Sequence, residues 1–569
     1  MKLAIQGCSH GELDAIYASL LRTEREQSLH IDALLLCGDF QAIRNHSDLH
    51  ALAVPQKYRQ LGDFHSYYSG EKIAPILTLV IGGNHEASNY MHELYHGGWL
   101  APNIYFLGAA GVIELNGIVV AGISGIYKEK DYRKGRFEKL PYDAGSIRSC
   151  YHTREFDVVR LKALKDGQVE IVMSHDWPNT IEQWGNTQAL IRKKPFFKEE
   201  IESRTLGSPP LMELLQCLKP AFWFSAHLHV KFAALFRHGQ MDPAIEPSST
   251  TAANTNPEAL DISLDSDDDL PESPKPAPSA DIAVDGTVTK SATATRFLAL
   301  HKCLPQTQFL QIINLPSPQD AELESRKASL GYTQRIPPSL RYNQRWLAIT
   351  RAFHSHFSLQ YRQPDLPDPF SASLLARIEE EERWIEQNLV SPFTTRNSGK
   401  RKQDEREGSR ACTPQDERET EGVGLDVHRV QQFVRTAPAP FEPGGLSQAP
   451  PAWYTNPQTE AFCRFLGIEN KINPRPDAFG GASCYPHPQE HLAASFHPAT
   501  PTGDRDPSQV HSEAVSDPNA LAIDMDDLDS DCSDAHANGD GFKHDGSRRD
   551  VLTLSDDDEL HARWKEGTG

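Results

Sequence analysis

The 569-residue sequence has no long apolar run and no cysteine framework, and both absences narrow the class of protein. No stretch approaches the ~20 apolar residues that a membrane-spanning helix needs. At the N-terminus, MKLAIQGCSHGE predicts a first β-strand and not a secretory signal. The nine cysteines are scattered without regular spacing, which favours a reducing compartment. We therefore expect a soluble intracellular protein that contacts no membrane.

Apolar residues are also scarce over the chain as a whole. Hydrophobic residues make up 38% of the sequence, proline numbers 40, and the formal net charge is −21. This composition is too polar for a wholly globular chain. Acidic and basic residues are close to balance before residue 240, so nearly all of the acidity lies beyond it. The net charge therefore says little about the partner of the folded part.

The character of the sequence changes several times along the chain. In the first 240 residues, short apolar runs such as DALLLCGDF and VEIVMSHDWP end in Gly, Asn, Asp or His. Such runs are typical of buried strands in an α/β fold, whose ligands gather at the carboxyl ends of the strands. The changes predict, in order, a catalytic domain over 1–240, a disordered acidic insert over 241–295, strand-like residues 296–315 that complete the catalytic domain, a C-terminal helical region over 316–395, and a mostly disordered tail over 396–569 with a short helix near 456–467.

Two local signals are specific enough to predict geometry. Asn116-Gly117 lies between two strand-like runs and predicts a type I′ hairpin. In the tail, Asn456 can cap a helix, Pro457 suits its first position and Gly467 suits its end.

Five polar motifs follow apolar runs in the first 240 residues. Each places a carboxylate, thiol, amide or imidazole where a strand passes into a loop, so that the side chain can point into a crevice. Two metal ions ~3.5–4 Å apart need this kind of ligand set, with one carboxylate between them. A lone histidine or a lone GDF is more often an ordinary polar residue or a turn, but five such motifs in order are improbable by chance. They are GCSHG (7–11), GDF (38–40), GGNHE (82–86), SHD (174–176) and SAHLH (225–229).

The order of these motifs resembles the pattern D-x-H, G-D, G-N-H-E/D, H and G-H-x-H of the calcineurin-like metallophosphoesterase superfamily. Cys8 stands where most members have the first Asp, and Ala226 stands where the last motif usually has Gly. A cysteine at the first position resembles the RNA lariat debranching enzymes. The similarity continues through GISGIYKEKDYRKGRFEKLPYDAGSIRSCYHTREFDVVRLKAL (122–164), SHDWPNTIEQWGN and FLALHKCLP.

The resemblance implies an α/β fold, a four-layer α/β/β/α metallophosphoesterase sandwich with a short C-terminal helical region and long disordered acidic segments. It also implies two metal pockets that share Asp39 as the bridging carboxylate. The first pocket would consist of Cys8, His10, Asp39 and His229, and the second of Asp39, Asn84, His175 and His227.

The resemblance further implies a catalytic role for His85, which would be the general acid for the departing 2′-oxygen after attack by metal-activated water. Asp176 and Glu86 would orient ligand imidazoles. One or two divalent ions per chain are expected. Imidazole and carboxylate suit Zn, Mn and Fe(II), and a thiolate at Cys8 favours softer ions over Mg²⁺.

Basic and aromatic residues alternate over residues 127–154. Such a surface can follow phosphates while its rings stack on unpaired bases, whereas a merely solvated loop has no need of so many aromatic residues. An adenosine joined at both its 2′ and 3′ oxygens is a splayed target of this kind. The predicted RNA-binding residues are Tyr127, Lys128, Lys130, Tyr132, Arg133, Lys134, Arg136, Phe137, Lys139, Tyr142, Arg148, Tyr151, His152 and Arg154.

Two acidic stretches, DISLDSDDDL (261–270) and VLTLSDDDEL (551–560), have the same form. One interpretation is solubilising disorder. The alternative is a strand-adding peptide that resembles SUMO-interacting motifs, with SUMO-like or splicing-factor partners. The basic cluster GKRK (399–402) could serve nuclear import, so we expect a nuclear protein, with shuttling to the cytoplasm left open.

The function predicted from all these features is hydrolysis of the 2′–5′ phosphodiester at the branch of excised intron lariat RNA. Two alternatives stay open. One is a metallophosphoesterase with another substrate, either a generic phosphodiesterase or a phosphoprotein phosphatase. The other is a non-catalytic RNA-binding splicing scaffold. DNA is not an expected partner.

Overall fold

Two β-sheets form the centre of the fold. The computed structural model describes residues 1–240, 292–321, 325, 337–391 and 424–475, and all of them fall within the unit Met1–Ser495. The strands are β1 Lys2–Gln6, β2 Ala33–Leu36, β3 Leu77–Val80, β4 Gly98–Ala101, β5 Ile104–Phe106, β6 Ala110–Leu115, β7 Ile118–Ile123, β8 Ile171–Ser174, β9 Phe222–Ser225, β10 Phe232–Arg237, β11 Ala294–Ala299, β12 Leu310–Asn314 and β13 Leu340–Tyr342. Residues 241–291 of the predicted insert, the acidic stretches 261–270 and 551–560 and the basic cluster 399–402 lie outside the described residues. The last two residues of the predicted insert belong to β11.

The two sheets have a common organisation. One has the strand order β12-β1-β2-β3-β5-β4 and the other β10-β11-β9-β8-β7-β6-β13. Strands β1, β2, β3 and β5 run parallel to one another, as do β7, β8, β9 and β11. The carboxyl ends of parallel strands meet at one edge of a sheet, so the loops after these strands are brought together.

The chain after the insert contributes strands to both sheets. β11 lies parallel to β9, and β12 lies antiparallel to β1. β11 is therefore internal to its sheet, between β10 and β9, whereas β12 forms an edge of the other sheet beside β1.

Alternating side chains on the strands define the layers. Leu3 and Ile5 of β1 pack in the core between the sheets, whereas Ala4 packs in a second cluster with Ile16 and Leu20. The last two residues belong to the helix Leu13–Gln27, which covers the outer face of the first sheet. Successive residues of a strand point to opposite faces, so each inner strand carries apolar residues on both sides. The predicted sandwich of two sheets with outer helices is confirmed.

The helices lie on these outer faces and in the C-terminal region. None of those in the described part of the chain has the length and apolar character needed to cross a membrane. Their bounds are Leu13–Gln27, Phe64–Ser69, Ser88–Glu93, Glu129–Tyr132, Ser146–Ser149, Glu155–Lys162, Thr187–Lys193, Lys198–Ser203, Pro209–Leu218, Gln344–Phe353, Ala372–Ile385, Val427–Val430 and Pro457–Leu466.

The helix Pro457–Leu466 ties the C-terminal region to the first sheet. The Asn456 side chain accepts the Gln458 backbone N–H, and Gly467 ends the helix with φ 64°. Gln458 then pairs with the backbone of Trp99 in β4: its Oε1 accepts the Trp99 N–H at 2.7 Å, and its Nε2 donates to the Trp99 carbonyl at 2.9 Å. One side-chain amide thus satisfies both backbone groups of an edge-strand residue.

The hairpin between β6 and β7 has the predicted turn. Asn116 and Gly117 have φ values of 50° and 84°, and the strands pair up to Leu115 and Ile118. Positive φ at both central residues defines a type I′ turn, so this prediction is confirmed.

Candidate active site

All five polar motifs come together where the carboxyl ends of the two sheets meet. The first sheet supplies the loops after β1, β2 and β3, and the second supplies those after β8 and β9. The side chains that converge are Cys8, His10, Asp39, Asn84, His85, His175, His227 and His229.

Four potential ligand atoms form one cluster. One atom each of Cys8, His10, Asp39 and His229 lies within 4.8 Å of the others. The Nε2 atoms of His10 and His229 are 3.1 Å apart, and His10 Nε2 is 3.6 Å from Asp39 Oδ2. One thiol, two imidazoles and one carboxylate at this spacing can surround a single divalent ion.

A second group lies on the other side of Asp39. His175 Nε2 is 3.1 Å from Asn84 Oδ1 and 3.2 Å from Asp39 Oδ1. The His227 ring lies beside that of His175, with 5.0 Å between the ring centroids. The two oxygens of Asp39 therefore face different histidines, which is the geometry of a bridging carboxylate.

The backbone at these residues is held in an unusual conformation. His10, Asp39, His227 and His229 have φ values of 47°, 48°, 62° and 47°. The left-handed region costs a residue with a side chain roughly 1–2 kcal/mol. Strain of this kind, repeated at four proposed ligands, is typical of a functional site that the surrounding fold enforces.

Glycines make room for the ligands. A Cβ at Gly83 would lie 2.2 Å from Asp39 Oδ1, and one at Gly38 would lie 2.3 Å from His175 Nδ1. Gly38 of GDF and Gly83 of GGNHE are thus required by the close approach of ligand side chains.

Burial and mutual attraction set the charges of the site. Burial alone would raise the pKa of the Asp39 carboxyl, but the imidazoles of His175 and His85 hold it well below the ordinary range. Burial lowers the pKa of His10 to about 3 against the attraction of Asp39. Burial would lower the pKa of His175 too, but Asp39 raises it to about 9. At neutral pH, Asp39 is a carboxylate and His10 a neutral imidazole, the forms in which both can bind a metal.

Backbone groups orient two of the ligands. His175 Nδ1 lies 2.7 Å from the carbonyl oxygen of Cys37, to which it donates, and its Nε2 is thereby left facing Asp39. The backbone N–H of His227 donates to Cys8 Sγ at 3.2 Å. Cys37 itself is fully buried, as expected for a core residue.

Glu86 and Asp176 have a different role from the predicted one. Glu86 accepts the backbone N–H groups of Phe40, Gln41 and Gly83, each at 2.8 Å. Asp176 likewise accepts backbone N–H groups, from Tyr127 at 3.2 Å and Trp177 at 2.8 Å. These carboxylates fix the backbone of the loops that carry the ligands. The sequence had predicted that they would orient ligand imidazoles directly.

His85 stands beside the ligands but outside the cluster. Its backbone N–H donates to Asp39 Oδ1 at 2.9 Å, and its ring centroid is 5.4 Å from that of His10. Its Nδ1 is buried and has no hydrogen-bond partner in the described part of the chain. This imidazole is thus placed to exchange a proton with a group bound next to the ligands.

The donor set fits a divalent metal ion. Asp39 Oδ2 and His10 Nδ1 are buried without a hydrogen-bond partner among the described residues. A buried acceptor left unsatisfied costs about 1–3 kcal/mol, and a cation beside Asp39 would remove that cost.

The basic and aromatic residues of 127–154 divide into two groups. Four of them pair with carboxylates inside the protein. Arg136 Nη2 lies 2.8 Å from Asp157, His152 Nδ1 lies 2.7 Å and Lys134 Nζ 2.6 Å from Asp131, and Arg154 pairs with Glu138. The structure does not support RNA contacts by Arg136, His152 and Arg154, because these side chains stabilise the segment itself. Lys130, Arg133, Lys139 and Arg148 are exposed, and Tyr127, Lys128, Tyr132, Lys134, Phe137, Tyr142 and Tyr151 are partly buried.

Tyr361 extends this surface, although no sequence pattern pointed to it. Its ring centroid is 4.8 Å from that of Phe137, and Lys134 Nζ lies 4.5 Å from the Tyr361 centroid. The Tyr361 side chain is 56% exposed. A contact between residues so far apart in sequence has no local pattern that could have revealed it.

A cavity of about 60 Å³ connects the segment to the ligand loops. Its lining includes Gly83 and Glu86 from a ligand motif and Tyr142 and Tyr151 from the segment. The 127–154 segment therefore adjoins the ligand cluster directly.

The two-sheet fold and the candidate ligand cluster are those of a metallophosphoesterase domain, and comparison with known proteins agrees. Residues 1–231 match the family model of the calcineurin-like phosphoesterases, and residues 292–471 match that of the lariat debranching enzyme C-terminal domain.

Curated relatives are similar over much of the chain. Lariat debranching enzyme A of Xenopus laevis is 44% identical over 368 residues, which cover 65% of this chain and 57% of that protein. The lariat debranching enzyme of Arabidopsis thaliana is 43% identical over 389 residues, or 68% of this chain and 76% of the relative. That of Schizosaccharomyces pombe is 37% identical over 501 residues, or 83% and 96%. The chain belongs to the lariat debranching enzyme family.

Proposed function

We propose that this chain hydrolyses the 2′–5′ phosphodiester at the branchpoint of excised intron lariat RNA. The products are a linear RNA with a 5′-phosphate and a free 2′-hydroxyl at the branchpoint. The observation that carries the proposal is the cluster of Cys8, His10, Asp39 and His229, formed in a chain with both family matches.

The ligand residues hold one or two ions. Cys8, His10, Asp39 and His229 form the first pocket, and Asp39, Asn84, His175 and His227 form the second. Bound ions would lower the pKa of a water molecule and neutralise phosphoryl oxygens. The thiol in the first pocket favours Fe(II) or Zn, with Mn as a further candidate, over Mg²⁺.

His85 supplies the proton. Its ring stands beside His10, and its backbone N–H is fixed to Asp39 at 2.9 Å. In the proposed reaction it protonates the departing 2′-oxygen, since an alkoxide is a poor leaving group unless it is protonated. Asp39 keeps the loop that carries His85 in register with the ligands.

Residues outside the ligand cluster hold the RNA. The exposed Arg133, Lys139 and Arg148 would bind phosphates. The rings of Phe137 and Tyr361, which contact each other at the same surface, would stack on bases. Single-stranded RNA is recognised by this combination of charge and stacking. A nuclear location, with SUMO-like or splicing-factor partners for the acidic stretches, is part of the same proposal and rests on the sequence alone.

The test compares substrates and variants under anaerobic conditions. The wild-type chain should cleave a synthetic 2′–5′ branched RNA more efficiently than an aryl phosphate diester, and it should contain stoichiometric metal. His85→Ala should lose about 10²–10⁴-fold in turnover with its metal content unchanged. His65→Ala, a histidine outside the site, is the matched control.

Three results would contradict the proposal. Higher efficiency on the aryl diester indicates another substrate class. A chain without stoichiometric metal indicates a non-catalytic scaffold. Loss of metal in His85→Ala makes His85 a ligand and removes it as the proton donor.

A further inference from the structure

The segment that follows β11 lies between the first and the last of the ligand loops. The backbone N–H of Leu300 donates to the Ser225 carbonyl at 3.3 Å, just before the SAHLH ligands. Three residues later, the N–H of Cys303 donates to the carbonyl of Cys8 at 3.0 Å. Residues 300–303 therefore join the two sheets at the edge of the first metal pocket.

The contact of this segment with the ligand loops is close. A Cβ at Gly7 would lie 2.3 Å from the His301 carbonyl oxygen, so only glycine fits there. The His301 ring is nearly parallel to that of His229, at 27° and 6.4 Å between centroids. Lys302 lies between His301 and Cys303 in the sequence. It is therefore held close to the proposed ligands His229 and Cys8.

Lys302 is a largely buried lysine that has no carboxylate partner among the described residues. The residue as a whole is only 8% exposed. Within the described ranges no carboxylate lies in salt-bridge distance of its Nζ, and no hydrogen bond to Nζ is formed. Lysine is almost never buried to this extent unless it is paired, because transfer of its charge from water is costly.

The position of this charge narrows what can pair with it. Lys302 lies between His301, whose ring is beside that of His229, and Cys303, whose N–H binds the Cys8 carbonyl, so the residue adjoins the first pocket. Divalent ions bound there would repel its ammonium. An anion that arrives with the substrate is a partner of the right charge for this ammonium.

We propose that Lys302 binds a phosphate oxygen of the branched nucleotide, an inference that rests on the function proposed above. Lys302 lies within residues 292–471, the match to the debranching C-terminal domain, and outside residues 1–231, the match to the phosphoesterases. It is an addition to the phosphoesterase site from the second part of the chain. The branched ribose offers two sources of this phosphate: the 2′ phosphate, which is cleaved, and the 3′ phosphate, which is kept.

The variants for the test are Lys302→Gln and Lys302→Arg, with Lys198→Gln as the matched control. Lys198 is a surface lysine whose side chain is 61% exposed and which pairs with Glu202 at 3.8 Å. Each variant is purified without oxygen, and its metal content and thermal unfolding are measured first. The substrates are a branched RNA and a 2′–5′-linked dinucleotide that has no 3′ phosphate, and inorganic phosphate is a third probe.

Lys302→Gln should weaken the binding of branched RNA and of inorganic phosphate about ten- to a hundredfold, as loss of a charge-assisted hydrogen bond does. The arginine variant should recover most of this loss, and the control should be unchanged. Equal losses of kcat/KM on both substrates identify the cleaved phosphate, whereas a loss on branched RNA alone identifies the 3′ phosphate.

The inference is overturned if Lys302→Gln binds inorganic phosphate and branched RNA as the wild type does. It is also overturned if the glutamine variant loses metal or stability and arginine does not restore binding, because Lys302 then has a structural role. A wild-type chain that fails to cleave branched RNA contradicts the proposed function. In that case the phosphate-binding comparison still decides the role of Lys302.

Discussion

Gly83→Ala should damage the site without removing a ligand. The added Cβ would lie 2.2 Å from Asp39 Oδ1, 2.5 Å from the Asp39 backbone nitrogen and 2.7 Å from His175 Nε2. Ordinary contact begins at 3.4 Å, so the carboxylate oxygen is too close by 1.2 Å. The backbone atom of Asp39 cannot rotate away, so the whole loop after β2 must move.

The displacement acts on interactions that align both pockets. Asp39 Oδ1 holds the His85 N–H at 2.9 Å and lies 3.2 Å from His175 Nε2. A misplacement of about 1 Å in a catalytic group costs about 10²-fold in rate. Overpacking of a buried site costs about 1–3 kcal/mol of stability. We expect both losses, together with weaker retention of metal.

Gly82→Ala is the matched control, because it adds the same methyl group one residue earlier. Its Cβ would lie 3.5 Å from Met91 Cε and 3.5 Å from Ser124 Cβ, which is ordinary contact. Measurements of kcat/KM on branched RNA, metal content and thermal unfolding compare the two variants. If Gly83→Ala is as active and as stable as Gly82→Ala, the close packing around Asp39 does not control the site.

Three further predictions concern the metal, acid stability and RNA. Cys8→Asp should shift the metal preference towards harder ions such as Mn²⁺ and slow inactivation by oxygen. Anaerobic metal analysis tests this prediction. Unchanged metal selectivity would argue against a thiolate ligand. Burial would raise the pKa of Asp157, but Arg136 and Arg160 hold it below its ordinary value. The stability from this depressed pKa is complete above the unfolded value of about 3.9 and is lost as pH falls through the lower folded value. Asp157→Asn should therefore be less stable at pH 7 and show a flatter decline in acid, and parallel denaturation curves would contradict it. Arg133→Ala, at a side chain that is 83% exposed, should reduce RNA affinity and the salt dependence of binding with little effect on stability; an unchanged dissociation constant at low salt would rule out that contact.

Much of the site could be predicted because its signals are local. Each ligand follows an apolar run by a few residues, as Asp39 follows DALLLCG, and the parallel arrangement of such runs brings their ends together. The layered fold follows from the same runs, since strands that are apolar on both faces need cover on both sides.

The rest depends on contacts between distant residues. The pairing of Arg136 with Asp157 and of Arg154 with Glu138 turned part of a predicted RNA surface into internal support. A basic residue has the same letter in the sequence whether it faces solvent or a buried carboxylate. The role of Glu86 was also hidden, because its partners are backbone N–H groups that carry no sequence signal.

The strands that follow the insert have a consequence for the order in which the protein can assemble. Until β11 and β12 have been synthesised, β9 and β1 each lack the neighbour that pairs with one of their edges. A nascent chain that ends within the insert thus exposes one edge each of β1 and β9 and leaves β10 without a partner strand. Unpaired strand edges promote association between chains. Emergence of residues 294–314 from the ribosome would close both edges in a single step and bring Cys303 to the backbone of Cys8. Protection of the sheets and completion of the metal pocket would then coincide during translation.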